Sequence, residues 1–188
     1  EKVAQEFTEK LVLEAQARNV GNGLSEGVNM GPAVCAAELD GNLDYIKVAQ
    51  DEGAELCWGG ERLGEGDLEH GHFMSPAVIA NVKNDMRIAQ EEVFGPVCHV
   101  MPFDTEEQAI ELANDSQYGL ASAVWTTNLD RGHRVAGEID AGLVWLNTWF
   151  LRDLRTPFGG MKLSGIGREG GDEGIMEFVE VQTVPRGK

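Results

Sequence analysis

Basic side chains are scarce: 15 Lys and Arg stand against 32 Asp and Glu, a formal charge of −17. So acidic a chain repels a phosphate backbone at long range and offers no basic stripe, so neither nucleic acid nor anionic lipid is expected as a partner. Long apolar runs are missing as well. None approaches the roughly 20 residues needed to span a bilayer, and no charged, apolar, small-residue leader opens the chain. No membrane contact is expected, and the cytoplasm is the expected compartment. Cysteine is limited to Cys35, Cys57 and Cys98. Their odd number and wide spacing, without a C-x-x-C or a cysteine–histidine pairing at zinc-finger intervals, argue against a disulfide framework and a structural metal site. His70 and His72 share one edge of a Gly-rich loop, but two ligands without a nearby third read as solvated histidines, and no metal is assigned.

What is present suits one α/β domain: 188 residues, 42% hydrophobic, with 24 Gly. Val3, Phe7, Leu11 and Ala15 recur at four-residue spacing with Gly21 as the stop, an amphipathic pattern already running at Glu1 with no N-cap before it. The chain is therefore expected to begin inside a helix. Leu43, Ile46 and Ala49 give helical spacing over 39–52, and 105–114 and 129–139 read as further helices. Short apolar runs at 56–58, 77–82, 97–103, 121–125 and 142–147 read as strands by length, flanking glycines and β-branched content. Asp104-Thr105-Glu106-Glu107 marks a helix start with acidic residues at the positive dipole end. The alternation implies a doubly wound, largely parallel sheet. Residues 59–71, rich in Gly and Glu, read as a surface loop, 174–178 as the end of a helix, and 179–184 as a lone strand that needs a partner edge.

Two stretches carry the chemistry. The first is Gln90-Glu91-Glu92-Val93-Phe94-Gly95-Pro96-Val97; the second, some sixty residues later, runs Thr156-Pro157-Phe158-Gly159-Gly160-Met161-Lys162-Leu163-Ser164-Gly165-Ile166-Gly167-Arg168-Glu169-Gly170. In this order and at this separation they resemble the cofactor-side and substrate-side signatures of the NAD(P)-dependent aldehyde dehydrogenase superfamily, whose pattern can be followed across nearly all of the chain. The resemblance implies a cysteine thiolate attacking an aldehyde, hydride transfer to NAD or NADP, and hydrolysis of the thioester by an activated water. The family's nucleophilic Cys and general-base Glu fall before the part of the pattern that Glu1 begins, so no catalytic residue is assigned here. The chain is expected to be the later part of a larger enzyme's catalytic domain, with 1–178 as the catalytic fragment and 179–188 as a C-terminal oligomerisation strand and tail. The resemblance implies a homodimer or homotetramer through that tail. A rival reading is a non-catalytic, self-associating module lacking the nucleophile and the dinucleotide-binding domain.

Glu92 is the expected cofactor contact. A carboxylate offers acceptors to two neighbouring ribose hydroxyls, and in the resembling family the second Glu of this motif holds the nicotinamide ribose. Phe94 matches the aromatic beside the nicotinamide ring, where its flat face fixes the ring for hydride transfer. The segment 147–158 follows the last core strand, at the carboxyl end where open α/β sheets place ligands. In the family it lines the mouth of the aldehyde tunnel, with Phe158 as part of the wall. Many members that oxidise uncharged aldehydes carry an aromatic at the position matched by Arg152. Arg152 departs from that pattern and resembles the subgroup acting on hydroxymuconic or aminomuconic semialdehydes, which carry a carboxylate besides the aldehyde. A guanidinium fork matches a carboxylate through two hydrogen bonds. The competing reading is a salt bridge from Arg152 or Arg155 to Asp153 or another surface acid.

Three tempting patterns are set aside. Gly165-Ile166-Gly167-Arg168-Glu169-Gly170 spells the Rossmann G-x-G-x-x-G, yet it neither follows directly on a strand nor opens a βαβ unit with an acidic residue about twenty positions on. Its glycines read as turns that bring the segment close to other backbone. Cys98 and His99, adjacent on a strand, point to opposite faces and cannot easily share a proton, and Cys98 reads as a small core residue. Asn114-Asp115-Ser116 fits a glycosylation acceptor, a triplet common by chance and without a secretion signal to support it.

Overall fold

The computed structural model describes residues 3–187. Instead of one domain, the chain forms two compact units, Glu1–Asp104 and Thr105–Lys188. The first helix, α1 (Ala4–Gln16), follows Val3; the expectation that helix is already running at Glu1 and Lys2 lies outside the described residues.

In the first unit α2 (Ala36–Asp51) buries Leu39, Asn42, Ile46 and Ala49, a 3-4-3 spacing that makes one stripe of the helix. The chain then runs through β1 (Glu55–Trp58), β2 (Arg62–Leu63), β3 (Phe73–Met74), β4 (Ala77–Ala80), α3 (Arg87–Gln90) and β5 (Val97–His99). Strands β1, β4 and β5 form a three-stranded sheet in that order, antiparallel between β1 and β4 and parallel between β4 and β5. Leu39, Ile46 and Ala49 meet Met74, Ala77, Ile79, Val82, Met86 and Ile88 in the core. Each such large side chain withdrawn from water contributes roughly 1.5–3 kcal/mol. Residues 62–63, read from sequence as loop, pair instead with Phe73 and Met74 as an antiparallel hairpin. Two-residue strands are too short to show alternation, and the burial of Phe73 and Met74 is what fixes the pairing.

The second unit contains α4 (Glu106–Asn114), β6 (Tyr118–Gly119), β7 (Ala121–Val124), α5 (Leu129–Glu138), β8 (Leu143–Leu146), β9 (Met161–Lys162) and α6 (Gly171–Met176). The acidic helix start is realised: Thr105 caps α4, its hydroxyl accepting from the Gln108 amide at 3.1 Å, with Glu106 and Glu107 in the first turn. Asn128 caps α5 in the same way. Strands β7 and β8 pair in parallel across α5, in register from Ala121 with Leu143 to Val124 with Leu146. The expected α/β class and its parallel pairings are thus present, with the described strands grouped into one three-stranded and three two-stranded sheets. The strand expected over 179–184 is not formed: residues 177–187 carry neither helix nor hydrogen-bonded strand. With no partner edge supplied, Val179, Val181 and Val184 stand exposed.

Candidate functional site

In the first unit, the Glu-Glu motif occupies the turn between α3 and β5. The two carboxylates have different fates. Glu91 is engaged by Arg87 through two charge-assisted bonds, Nε to Oε1 at 2.8 Å and Nη2 to Oε2 at 2.7 Å, and accepts from the Tyr45 hydroxyl at 2.8 Å. Glu92 has no hydrogen bond or ion pair among the described residues and is exposed. Val93 packs against the core, whereas Phe94 is 73% exposed. The turn therefore alternates: 91 held, 92 out, 93 in, 94 out. A free carboxylate and a bare aromatic face, two residues apart on a fixed turn, fit a ribose diol and a flat ring.

Arg87 first, then the Tyr45 hydroxyl, holds the Glu91 carboxyl at about 2, down from an ordinary 4.5. A lowered carboxylate contributes stability that is complete above its unfolded value and is lost as pH falls through the folded one. Glu91→Gln is therefore expected to destabilise the chain near neutrality, by a margin that shrinks as pH falls from about 5 to about 2. Thermal unfolding of both proteins across that range checks it, and a constant margin would contradict it.

In the second unit, the segment after β8 is fastened at its root. Asn147, at φ +52°, accepts from the Thr126 amide at 2.8 Å and donates to the Thr126 carbonyl at 2.9 Å, tying the ends of β7 and β8 together. The Trp145 indole donates to the Leu151 carbonyl at 2.8 Å, and Trp149 and Phe150 gather around Trp145, with ring centroids 4.9 and 6.4 Å away. Beyond Leu151 the two arginines part. Arg155 pairs with Asp153, Nε to Oδ1 at 2.9 Å. Arg152 takes no carboxylate among the described residues; its guanidinium lies 4.2 Å from the centroid of Phe158. The salt bridge considered for either arginine thus belongs to Arg155, and the structure brings Arg152 and Phe158 together with the arginine's donors open.

Phe158 also lines a pocket of about 700 Å³ walled by the glycine-rich segment. That segment is not a phosphate loop. Although β9 precedes it, β9 pairs antiparallel with β6, and α6 leads into no strand. At Gly170, φ +75°, a side chain would press on the carbonyls of Thr156 and Leu154 at 2.8 and 2.9 Å, and at Gly167 it would meet the Glu177 carboxylate at 3.0 Å. The turns face the chain's own backbone and a negative charge, an environment that repels phosphate. Arg168 holds the wrap from within, donating to the carbonyls of Gly160 and Gly167.

The described residues contain no group of three or more His, Cys, Asp or Glu able to hold a metal, and none of their helices is long and apolar enough to cross a membrane. Cys98 is exposed on β5, an edge strand, and not the core residue expected.

Residues 1–184 match the description "Aldehyde dehydrogenase family". The chain belongs to this family. It is 49% identical over 157 residues to a 2-aminomuconic 6-semialdehyde dehydrogenase from Pseudomonas sp., covering 82% of this chain and 32% of that protein. A 2-hydroxymuconic semialdehyde dehydrogenase from Pseudomonas putida is 44% identical over 180 residues, covering 95% and 37%. Among solved structures, Staphylococcus aureus betaine aldehyde dehydrogenase in complex with NAD+ superposes with a TM-score of 0.91 at 42% identity, covering 94% of this chain and 35% of that one. The chain spans about a third of the length of the aldehyde dehydrogenases it matches. Sequence reasoning missed Tyr45, Arg87 and Asn42 around the aldehyde dehydrogenase motif. Tyr45 and Arg87 lie 46 and four residues from Glu91, and only the fold joins all three.

Proposed function

We propose that this chain is the later part of the catalytic domain of an aldehyde dehydrogenase that oxidises a carboxylate-bearing semialdehyde, of the 2-hydroxymuconate semialdehyde kind, to the diacid with NAD or NADP. One observation carries the substrate reading: Arg152 is stacked on Phe158 and pairs with no acid among the described residues. Stacking orients the planar fork without using its hydrogen-bond donors, so a substrate carboxylate meets a preset partner. Bound NAD(P) supplies the hydride acceptor. Glu92 accepts from the nicotinamide ribose hydroxyls, and Phe94 offers its face to the ring. The described residues fit that end of the cofactor and hold no phosphate loop, so the phosphates are bound by other parts of the enzyme, as are the nucleophile and the base. The tail at 179–188, exposed over its described residues 179–187 and with Lys188 outside them, pairs with another subunit of a homodimer or homotetramer. A cytoplasmic location accords with free thiols at Cys35, Cys57 and Cys98.

Glu92→Gln tests the cofactor role. A charge-assisted bond contributes roughly 1.5–3 kcal/mol, so NAD+ affinity should fall about tenfold or more while melting temperature is retained. Unchanged affinity by titration calorimetry would remove Glu92 from the site.

A second reading rests on the aromatic group of Trp145, Trp149 and Phe150. Such faces attract a quaternary ammonium, as betaine aldehyde carries. Arg152, in the same loop, repels that cation, which favours the acid.

A further inference from the structure

We propose that helix α2 positions the cofactor loop: Tyr45, through Arg87 and Glu91, fixes one end of the turn, and Asn42 fixes the other at Gly95, so that Glu92 and Phe94 project from a clamped base. The inference rests on the reading of Glu92 and Phe94 as nicotinamide contacts, and assigns positioning roles to residues that touch neither cofactor nor substrate.

Asn42 and Tyr45 are three residues apart on α2 and so lie on one side of the helix. Tyr45 donates to Glu91 Oε2 at 2.8 Å, and its ring lies beneath the Arg87 guanidinium at 5.5 Å. Arg87 grips both oxygens of the same carboxylate. The helix adds a third hold at its end, where Glu52 accepts from the Arg87 backbone amide at 3.0 Å and caps the start of α3. Two guanidinium N–H donors and one hydroxyl thereby engage both oxygens of Glu91, while its neighbour Glu92 stays unclaimed among the described residues. Had Arg87 been free to choose, the adjacent carboxylates would compete for it.

At the far end Asn42 is 2% exposed and lies flat against Gly95: a side chain there would come within 2.2 Å of Nδ2 and 2.4 Å of Cγ. Asn42 is the one polar residue in an otherwise apolar stripe, and its Nδ2 is buried without a partner. Gly95 then closes a tight turn, its amide donating to the Val93 carbonyl at 2.7 Å and its carbonyl accepting from the Val97 amide at 2.8 Å. The four residues between Glu91 and Pro96 have little freedom left except in the two side chains that point outward, which is the preorganisation a ring-positioning site needs.

The experiment uses Tyr45→Phe, which removes one hydroxyl and keeps the packing. In this chain, amide hydrogen exchange at Gly95 and Val97 should quicken about tenfold, with exchange in β7 and β8 unmoved. In the enzyme that carries this chain, the same change should raise KM for NAD+ severalfold while KM for the aldehyde holds. Glu91→Gln should do the same, and Glu92→Gln should weaken NAD+ without altering exchange. Unchanged exchange at Gly95 and Val97 in both Tyr45→Phe and Glu91→Gln overturns the clamp. Faster exchange with NAD+ affinity lost in Glu92→Gln alone overturns its bearing on the cofactor. Faster exchange with NAD+ affinity untouched by all three changes keeps the clamp and overturns the nicotinamide reading instead.

Discussion

Replacing Arg152 with Ala should lower kcat/KM for a semialdehyde acid roughly 10- to 150-fold, the equivalent of ~1.5–3 kcal/mol for a hydrogen-bonded charge, and leave an uncharged aldehyde of similar length within about twofold. The magnitude follows from what Arg152 lacks. Asp153 is taken by Arg155, and the Arg152 guanidinium rests on Phe158 without an ion pair among the described residues, so removing it uncovers no partner charge there and costs the fold little. The loss should therefore appear in the substrate that carries a carboxylate and nowhere else. Arg152→Lys separates charge from geometry: it keeps the charge but gives up the planar stack and the two-bond fork, and should recover only part of the loss. Steady-state NADH formation with the paired substrates measures all of this. Equal losses on acid and neutral aldehyde would mean that Arg152 supports the loop and binds no carboxylate.

Gly142→Ala should be the most damaging single methyl in the second unit. Gly142 precedes β8, and a Cβ there would fall 1.7 Å from the Gly159 carbonyl oxygen and 2.8 Å from its carbon. Both partners are backbone, fixed by β8 on one side and by the Arg168-braced wrap on the other, so neither yields as a side chain would. A cost of about 3 kcal/mol or more is expected, lowering the melting temperature by roughly 6–12 °C. Gly159 adjoins Phe158, so what folds should also lose the Arg152–Phe158 stack. Gly41→Ala, in the interior of α2 with nothing within 4 Å of the added methyl, should stabilise by up to about 1 kcal/mol. Calorimetric melts of the two variants give opposite signs if the argument holds; a tolerated Gly142→Ala would show that the wrap moves freely.

The local setting of the candidate residues was legible in the sequence because its determinants are local. Glu92 and Phe94 sit on a turn set by Gly95-Pro96, and Arg152 and Phe158 lie six residues apart in one loop. What was not legible depends on distant partners. That Glu91 and not Glu92 is the structural carboxylate follows from Tyr45, 46 residues upstream, and no spacing rule reaches that far. Strands β6 and β9 pair Tyr118 with Lys162 through two-residue segments too short to carry a period. The division at Asp104–Thr105 left no trace because the connection is a capped helix start and not a flexible linker. The tail at 179–184 is the converse case: its alternation reads as strand, but alternation specifies a face and not a partner, and the described residues of this chain supply none.

The most direct test is the ratio of kcat/KM for a muconic-type semialdehyde acid to that for betaine aldehyde, measured as NADH formation by the enzyme that carries this chain. The proposed carboxylate clamp, with the Arg152 guanidinium stacked on Phe158, predicts a preference for the acid of about a hundredfold or more. A preference for betaine aldehyde, or equal turnover of the two, would contradict the carboxylate clamp and return the loop to its aromatic residues.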